Sequence, residues 1–295
     1  MNYDHAYHAG NPADVVKHAA LALVLGELAQ KDPAIHYVET HAGAGVFPLL
    51  DPAGEHSQGI GRLWSKTVRR KLPELSKWLD LLGREDQPLG TYLGSPSIAR
   101  ALLREKDRIE LYELNPRDAA ALRENVAGDK RVVIRQLDGW RGLDAARPFV
   151  KEAKLVVLVD PPFESVSEWD AIDETFVRAA TELGNAPLLL WYPIKAGPPH
   201  EGRPENLRER LESAGTRGLS IELRLRGGLV APKATNPRVR PGLVGTGLML
   251  VNAPHRAVSR LTASLPELAR AMARTGGWEV TLTGWAAPSR SPEAS

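Results

Sequence analysis

The 295-residue chain has no cysteine, which excludes disulfides, thiolate metal sites and a cysteine nucleophile. No apolar stretch approaches the ~20 residues that a membrane-spanning helix requires. The opening Met1-Asn2-Tyr3-Asp4-His5 lacks a basic segment followed by an apolar run, so no secretory signal is expected and the default location is the cytoplasm. Charge of one sign is also not in excess. The net charge of +2 does not by itself mark a nucleic-acid binder. Neither a complete G-x-G-x-x-G dinucleotide pattern nor a phosphate loop ending in Lys-Ser/Thr is present, which argues against nucleotide hydrolysis. There are no internal repeats.

What is present is an ordinary globular composition, 43% hydrophobic and 25% charged, in a chain long enough to bury a core unaided. Arginine dominates lysine. That suits bidentate phosphate contacts and base stacking, although a compositional bias of the source would produce the same ratio.

Short runs rich in Val, Ile and Leu recur at Ile35–Glu39, Ile109–Glu113, Val132–Arg135, Leu155–Val159 and Leu188–Tyr192, with helical patterns between them. This alternation predicts a doubly wound, mostly parallel α/β sheet. The run Leu155–Val159 is apolar throughout, as a central strand buried on both faces should be. Ile221–Leu225 and Gly247–Val251 lack a clear helix between them and read as an antiparallel hairpin at the sheet edge. Seven strands are thus expected in the sheet, and Trp278–Trp285 looks like a final strand without a functional reading. Ala13 to Gln30 has apolar residues at helical spacing ahead of the first strand. The interval 47–92 is too long for a simple crossover and reads as an inserted helical subdomain, with helical patterns at Gly59–Trp64 and Pro73–Leu82. Its basic residues Arg62, Lys66, Arg69, Arg70 and Lys71 suit either a solvated face or phosphate contact. Residues 1–46 and 93–285 would form the main domain, and 286–295 a flexible tail of Pro/Ser composition.

The sharpest chemical signal is Asp160-Pro161-Pro162-Phe163, directly after the most apolar run. Ligands of open α/β sheets bind at the carboxyl ends of the strands. Two prolines fix the backbone there and hold the Asp160 carboxylate and neighbouring carbonyls as an array of acceptors beside an aromatic ring. Such an array fits an aromatic amine, whose N–H bonds would go to Asp160 and the Pro161 carbonyl while its ring stacks on Phe163. Drawing both hydrogens away frees the lone pair of an adenine N6 for attack on a methyl sulfonium, with Asp160 taking up the released proton. A rigid turn ending a strand is the plain alternative for this tetrapeptide in isolation.

Three further strand ends carry polar or glycine-rich elements. Glu39-Thr40-His41-Ala42-Gly43-Ala44-Gly45 closes the first strand, and its closely spaced glycines let backbone approach a ligand. Glu113 ends the second and suits ribose hydroxyls, and Asp138-Gly139 follows the third and suits an adenine amine. Each acid alone could be a helix cap. His18, on a helix, and His41, in the glycine loop, read as ordinary structural histidines. Neither has an acid or second histidine at ligand spacing, and no metal is expected.

Together these residues resemble the class I S-adenosylmethionine-dependent methyltransferases and, more closely, the RlmJ family of 23S (large-subunit) ribosomal RNA adenine-N6 methyltransferases. The opening Tyr3-x-His5-x-x-His8-Ala9-Gly10-Asn11-x-Ala13-Asp14-Val15-x-Lys17-His18 is similar to that family's N-terminal signature. So are Thr40–Gly45, Gly94-Ser95-Pro96, Glu113-Leu114-x-Pro116, Asp138-Gly139, Asp160-Pro161-Pro162, Trp191-Tyr192-Pro193 and Gly245-x-Gly247-x-x-x-x-Asn252-x-Pro254. The resemblance implies a Rossmann-like fold with an inserted helical subdomain and an N-terminal motif that covers the cofactor. It implies S-adenosyl-L-methionine as cofactor, held by His18, His41, Gly43, Ser95, Glu113, Asp138, Gly139 and Asp160. It also implies catalysis by Asp160 with Pro161 and Phe163, and contact of Tyr3 with RNA. Phe163 stands where the family often has Tyr, so stacking survives and a hydroxyl contact is lost.

The resemblance favours Arg62 as an RNA contact. Lys233, Arg238 and Arg240, in a Gly/Pro-rich loop after Arg224 and Arg226, would neutralise phosphates without reading sequence. The target adenine must leave its stack, which is cheapest in irregular RNA. The implied protein is a monomer. A DNA adenine-N6 methyltransferase, a protein glutamine methyltransferase and a non-catalytic RNA-binding ribosome-assembly protein are the rival readings.

Overall fold

A computed structural model describes residues 8–51, 54–146, 153–163, 165, 167–195, 200–226, 243–273 and 277–286. Tyr3, the loop holding Lys233, Arg238 and Arg240, and nearly all of the tail expected over 286–295 lie outside the described residues.

The chain enters through helix α1 (Pro12–Leu28), whose start is set by Asn11: the side-chain oxygen accepts from the Asp14 amide at 3.0 Å, and Pro12 occupies the first turn. Strand β1 (Ile35–Glu39) follows, then β2 (Val46–Pro48). After a 3₁₀ turn at Glu55–Gln58 come short helices α2 (Ile60–Leu63) and α3 (Lys66–Arg69), a second 3₁₀ turn at Pro73–Leu75 and α4 (Ser76–Leu82). Strand β3 (Thr91–Leu93) pairs antiparallel with β2, so the helical segment between them is closed at its base by a two-stranded ribbon that the sequence reading did not contain.

Then follow α5 (Ser95–Leu102), β4 (Arg108–Tyr112), α6 (Pro116–Asn125), β5 (Val132–Arg135), α7 (Trp140–Ala145) and β6 (Lys154–Val159). Beyond β6 run α8 (Ser167–Ala171), a π-helical turn (Ile172–Phe176), α9 (Val177–Glu182), β7 (Leu188–Lys195), α10 (Arg203–Ser213) and β8 (Gly218–Leu225). Strand β9 (Leu243–Val251), α11 (His255–Met272) and β10 (Trp278–Trp285) complete the order.

The main sheet runs β10-β8-β9-β7-β6-β1-β4-β5. Its β7-β6-β1-β4-β5 part is parallel, and β9, β8 and β10 join antiparallel. The sheet therefore has eight strands, not seven. β8 and β9 pair antiparallel as expected, but β9 lies inward against β7, and β10 takes the outer edge. Only tertiary pairing fixes that order.

Strand β6 feeds both cores. Val156 and Leu158 face α1 and α11, whereas Leu155, Val157 and Val159 pack with Trp169, Phe176 and Leu207 on the other face. That two-sided burial explains the unbroken apolar run. The C-terminal ends of β1, β4, β5 and β6 all point to one rim of the sheet, and the polar strand-end residues collect there.

Candidate active site

Asp160 follows β6, and its Oδ2 lies 2.5 Å from the ammonium of Lys17, which reaches it from α1. Lys17 also pairs with Asp14 one turn earlier, at 2.7 Å. Burial opposes a charge on Lys17, but Asp14 and Asp160, by charge and hydrogen bond, outweigh it and hold the amine above the usual lysine range. Two carboxylates thus flank one ammonium, an arrangement of acceptors suited to a cationic methyl donor and to positive charge developing on an amine.

Glu39, at the end of β1 and wholly buried, accepts from the Tyr37 hydroxyl at 2.9 Å and from the Ser95 hydroxyl. Burial is the main cause that pushes this carboxyl up to about 8. The Ser95 and Tyr37 hydrogen bonds oppose the rise, and the nearby Asp160 charge adds to it. Glu39 is therefore neutral at physiological pH, and the site does not carry a buried anion at this position.

Beside it, Gly43 and Gly45 have φ of +61° and +79°, which glycine adopts without strain. The Gly43 amide donates to Glu113 Oε2 at 2.8 Å, so the glycine loop is tied to the end of β4. The Asn115 amide donates to the other oxygen at 2.7 Å. Burial raises the Glu113 carboxyl, against these two backbone donors. Gly139 packs onto the backbone of Thr40: a Cβ there would lie 1.8 Å from the Thr40 carbonyl oxygen. This contact carries exposed Asp138 to the mouth of the same groove. His41 meets Trp140 edge-on at 5.3 Å and Thr40 Oγ1 at 2.7 Å. Burial lowers its imidazole to about 4, against the pull of Asp138, so it is neutral at physiological pH.

His18, buried on α1, shares a 2.7 Å hydrogen bond between its Nδ1 and the Tyr92 hydroxyl, and the two rings stack at 5.4 Å. The rim thus brings together His41, Gly43, Ser95, Glu113, Asp138, Gly139 and Asp160, with His18 fixed behind Lys17. A rim of neutral imidazole, glycine backbone and separated carboxylates fits an adenosine bearing a cationic sulfur.

Phe163 is placed otherwise than the sequence suggested. Its backbone has φ +50°, Lys195 Nζ donates to its carbonyl at 2.9 Å, and its ring is only 2% exposed. Trp169 at 5.1 Å and Trp191 at 5.6 Å cover the ring. A half-buried aromatic near Asp160 is Trp191, anchored by its indole N–H to Thr246 at 2.8 Å, with Lys17 Nζ 5.7 Å from its ring centre. Arg62 is exposed on α2, as are Lys66, Arg70 and Lys71, but Arg69 turns inward to stack on Trp64 and donate to the Leu79 carbonyl. Sequence reasoning assigned no role to Lys17, Glu39, Tyr92 or Trp191. For Lys17 a signal existed: a lone cation among apolar residues of a helix, three positions after an acid. Among the described residues no group of acids and histidines is arranged to hold a metal, and no helix is long and apolar enough to cross a membrane.

The chain is 34% identical over 292 residues to Ribosomal RNA large subunit methyltransferase J of Haemophilus influenzae, covering 95% of this chain and 98% of that one. It is 32% identical over 297 residues to the protein of the same name from Escherichia coli, covering 98% and 99%. The crystal structure of protein LPL1258 from Legionella pneumophila superposes with a TM-score of 0.79 at 27% identity, over 96% of this chain and 99% of that one. The family model described as Ribosomal RNA large subunit methyltransferase D, RlmJ, matches residues 32–285, and the chain belongs to that family of S-adenosylmethionine-dependent ribosomal RNA methyltransferases.

Proposed function

We propose that this protein methylates the exocyclic N6 of one adenine in 23S ribosomal RNA, with Asp160 as the group that meets the reacting amine. The observation that carries this reading is the Asp160 carboxylate, which follows β6 and is held by Lys17 through Oδ2 at 2.5 Å, among the strand ends that also bear the glycine loop and Glu113. His18, His41, Gly43, Ser95, Glu113, Asp138 and Gly139 would hold the cofactor. When bound, S-adenosylmethionine supplies an electrophilic methyl that the N6 lone pair takes, the sulfur keeping the electrons of the broken bond.

The chain's own residues do the rest. The Asp160 carboxylate and the Pro161 carbonyl accept the two N6 hydrogens and turn the lone pair out of conjugation. Asp160 then takes the surplus proton, directly or through water. Lys17 fixes the carboxylate in place, since the barrier contribution of orientation is lost when the groups drift. In this conformation the ring surface available to an extruded purine is that of Trp191. Phe163 supports it from behind.

Arg62, with its exposed neighbours Lys66, Arg70 and Lys71 on the segment 47–92, would contact phosphates. Tyr3, Lys233, Arg238 and Arg240 are assigned to the same surface from sequence. The segment 47–92 is taken as an inserted subdomain, and the protein as a cytoplasmic monomer.

The test is methyl transfer from labelled S-adenosylmethionine to purified 23S rRNA, with nuclease mapping of the product, for the wild type and for Asp160→Ala. The expected result is N6-methyladenosine from the wild type and none from the variant, with cofactor binding retained. Turnover in Asp160→Ala overturns the role of Asp160, and methylation of duplex DNA in place of rRNA overturns the substrate.

A further inference from the structure

Among the contacts of the segment 47–92 with the start of α1 is one buried acid. Glu55 opens the 3₁₀ turn and is 4% exposed. Its Oε2 accepts from Asn11 Nδ2 at 3.0 Å and lies 2.8 Å from His8 Nδ1. The backbones on either side are in direct contact. The Ile60 amide donates to the Gly10 carbonyl at 2.8 Å, and a Cβ on Gly59 would sit 2.1 Å from that same oxygen. Gly10 itself has φ +75° and no room beside Ile60. Glycine on both sides of the crossing is what lets the two segments meet this closely.

The consequence runs through Asn11. A carboxamide has a donor end and an acceptor end, and only the acceptor can cap a helix N-terminus. A carboxylate at Glu55 demands the donor end, so the oxygen is left for the Asp14 amide. Turned the other way, the amide would set oxygen against carboxylate and NH₂ against N–H. Glu55 therefore selects the capping orientation. Asp14, thus placed in the first turn, accepts from the Gly10 amide at 2.9 Å and from Lys17 at 2.7 Å, and Lys17 in turn holds Asp160 at 2.5 Å.

We infer that Glu55 is a positioning residue: through Asn11, Asp14 and Lys17 it holds the Asp160 carboxylate in register, so that Glu55 governs turnover without itself touching either reactant. This rests on the reading of Asp160 given above. A displacement of about 1 Å at a reacting group costs on the order of 100-fold in rate. Of the cofactor-holding residues, His41, Gly43, Glu113, Asp138 and Gly139 stand apart from this chain of bonds, and His18, next to Lys17 on α1, is held separately by Tyr92.

The experiment compares Glu55→Ala, Glu55→Gln and Asp160→Ala on a 23S rRNA transcript, measuring kcat, the KM for RNA, the Kd for S-adenosylmethionine by calorimetry and the melting temperature. Glu55→Ala is expected to lose at least about 10-fold in kcat with the cofactor Kd changed by less than about threefold. Glu55→Gln should recover kcat to within about threefold, because its single carbonyl oxygen can accept both donors. A third variant, Asn11→Asp, keeps a helix cap but opposes Glu55 with a second carboxylate, and it should lose kcat whether or not Glu55→Ala folds.

Wild-type kcat in Asn11→Asp or in folded Glu55→Ala overturns the inference. So does a Glu55→Gln as slow as Glu55→Ala, or a parallel loss of cofactor affinity. If Asp160→Ala is inactive while the Glu55 variants are unaffected, this inference alone fails. If Asp160→Ala turns over, the reading beneath it fails as well.

Discussion

Replacing Glu39 with Gln should flatten the pH dependence of stability. The wild-type carboxyl is raised by burial from its ordinary 4.5 to about 8 in the folded protein. Below 4.5 both folded and unfolded chains hold the proton, and whatever Glu39 contributes is fully present. As pH rises through the window the unfolded chain releases the proton while the folded one keeps it, so stability falls at about 1.4 kcal/mol per pH unit. Above about 8 both have lost it and the contribution is gone.

Across the whole window the change amounts to at most about 5 kcal/mol, or roughly 10 °C in melting temperature for a chain of this size. Gln has the shape of the protonated acid and nothing to lose. Its carboxamide can accept from Ser95 or Tyr37 and donate to the other hydroxyl. Denaturant titrations of both proteins at intervals from about pH 5 to pH 9 isolate the effect, since every other titrating group is shared. The difference should grow steadily in favour of Glu39→Gln as pH rises. A difference that stays constant, or that turns against the variant above neutrality, refutes the claim that this acid is buried uncharged.

Three other outcomes are expected. Trp191→Ala should lower kcat/KM for RNA by a factor corresponding to the about 1–3 kcal/mol of one base stack, with the cofactor Kd unmoved. An unchanged kcat/KM would remove Trp191 from the purine site. The His41 imidazole, lowered to about 4 by burial, should show no ring titration by NMR through physiological pH, and a midpoint near the free-histidine value would contradict its placement. Gly139→Ala should collapse the melting temperature, because its Cβ meets the Thr40 backbone at 1.8 Å. Gly26→Ala, with nothing within 4 Å of its Cβ and a helical position in α1, should instead stabilise by about 0.5–1 kcal/mol in thermal melts. Equal effects from the two alanines would show that close backbone approach is not what Gly139 provides.

The parts of this molecule that sequence reveals are those written in local pattern. The apolar run 155–159 became β6 because burial on both faces removes the polar alternation. The prolines after Asp160 marked the strand's end for the same local reason. Helix α1, expected over 13–30, is observed at Pro12–Leu28, with Asn11 supplying the cap. The partners of long-range pairs were not legible. Lys17 and Asp160 are 143 residues apart, and nothing near either position says that they meet. The eighth strand could be seen as a strand, but its place outside β8 depends on a pairing between residues 218 and 285. Helix α11 is absent from the sequence reading although Leu261, Leu265, Leu268 and Met272 recur at helical spacing, and it accommodates Pro266 within it. Phe163 was legible as an aromatic at the rim. Its burial under two tryptophans was not, since those arrive from α8 and β7.

Helix α1 is buried at every position except Asp14 and Gly26, and what covers it includes β9 and α11, which follow much later in the chain. On the ribosome it emerges as a greasy rod and must wait for nearly the whole protein before its last cover is translated. A product released before His255 would keep the glycine loop and Asp160 yet leave one flank of α1 bare, and would go to chaperones and proteases instead of to RNA. Such a fragment would carry the site residues without the packing that holds α1, and with it Lys17, in place.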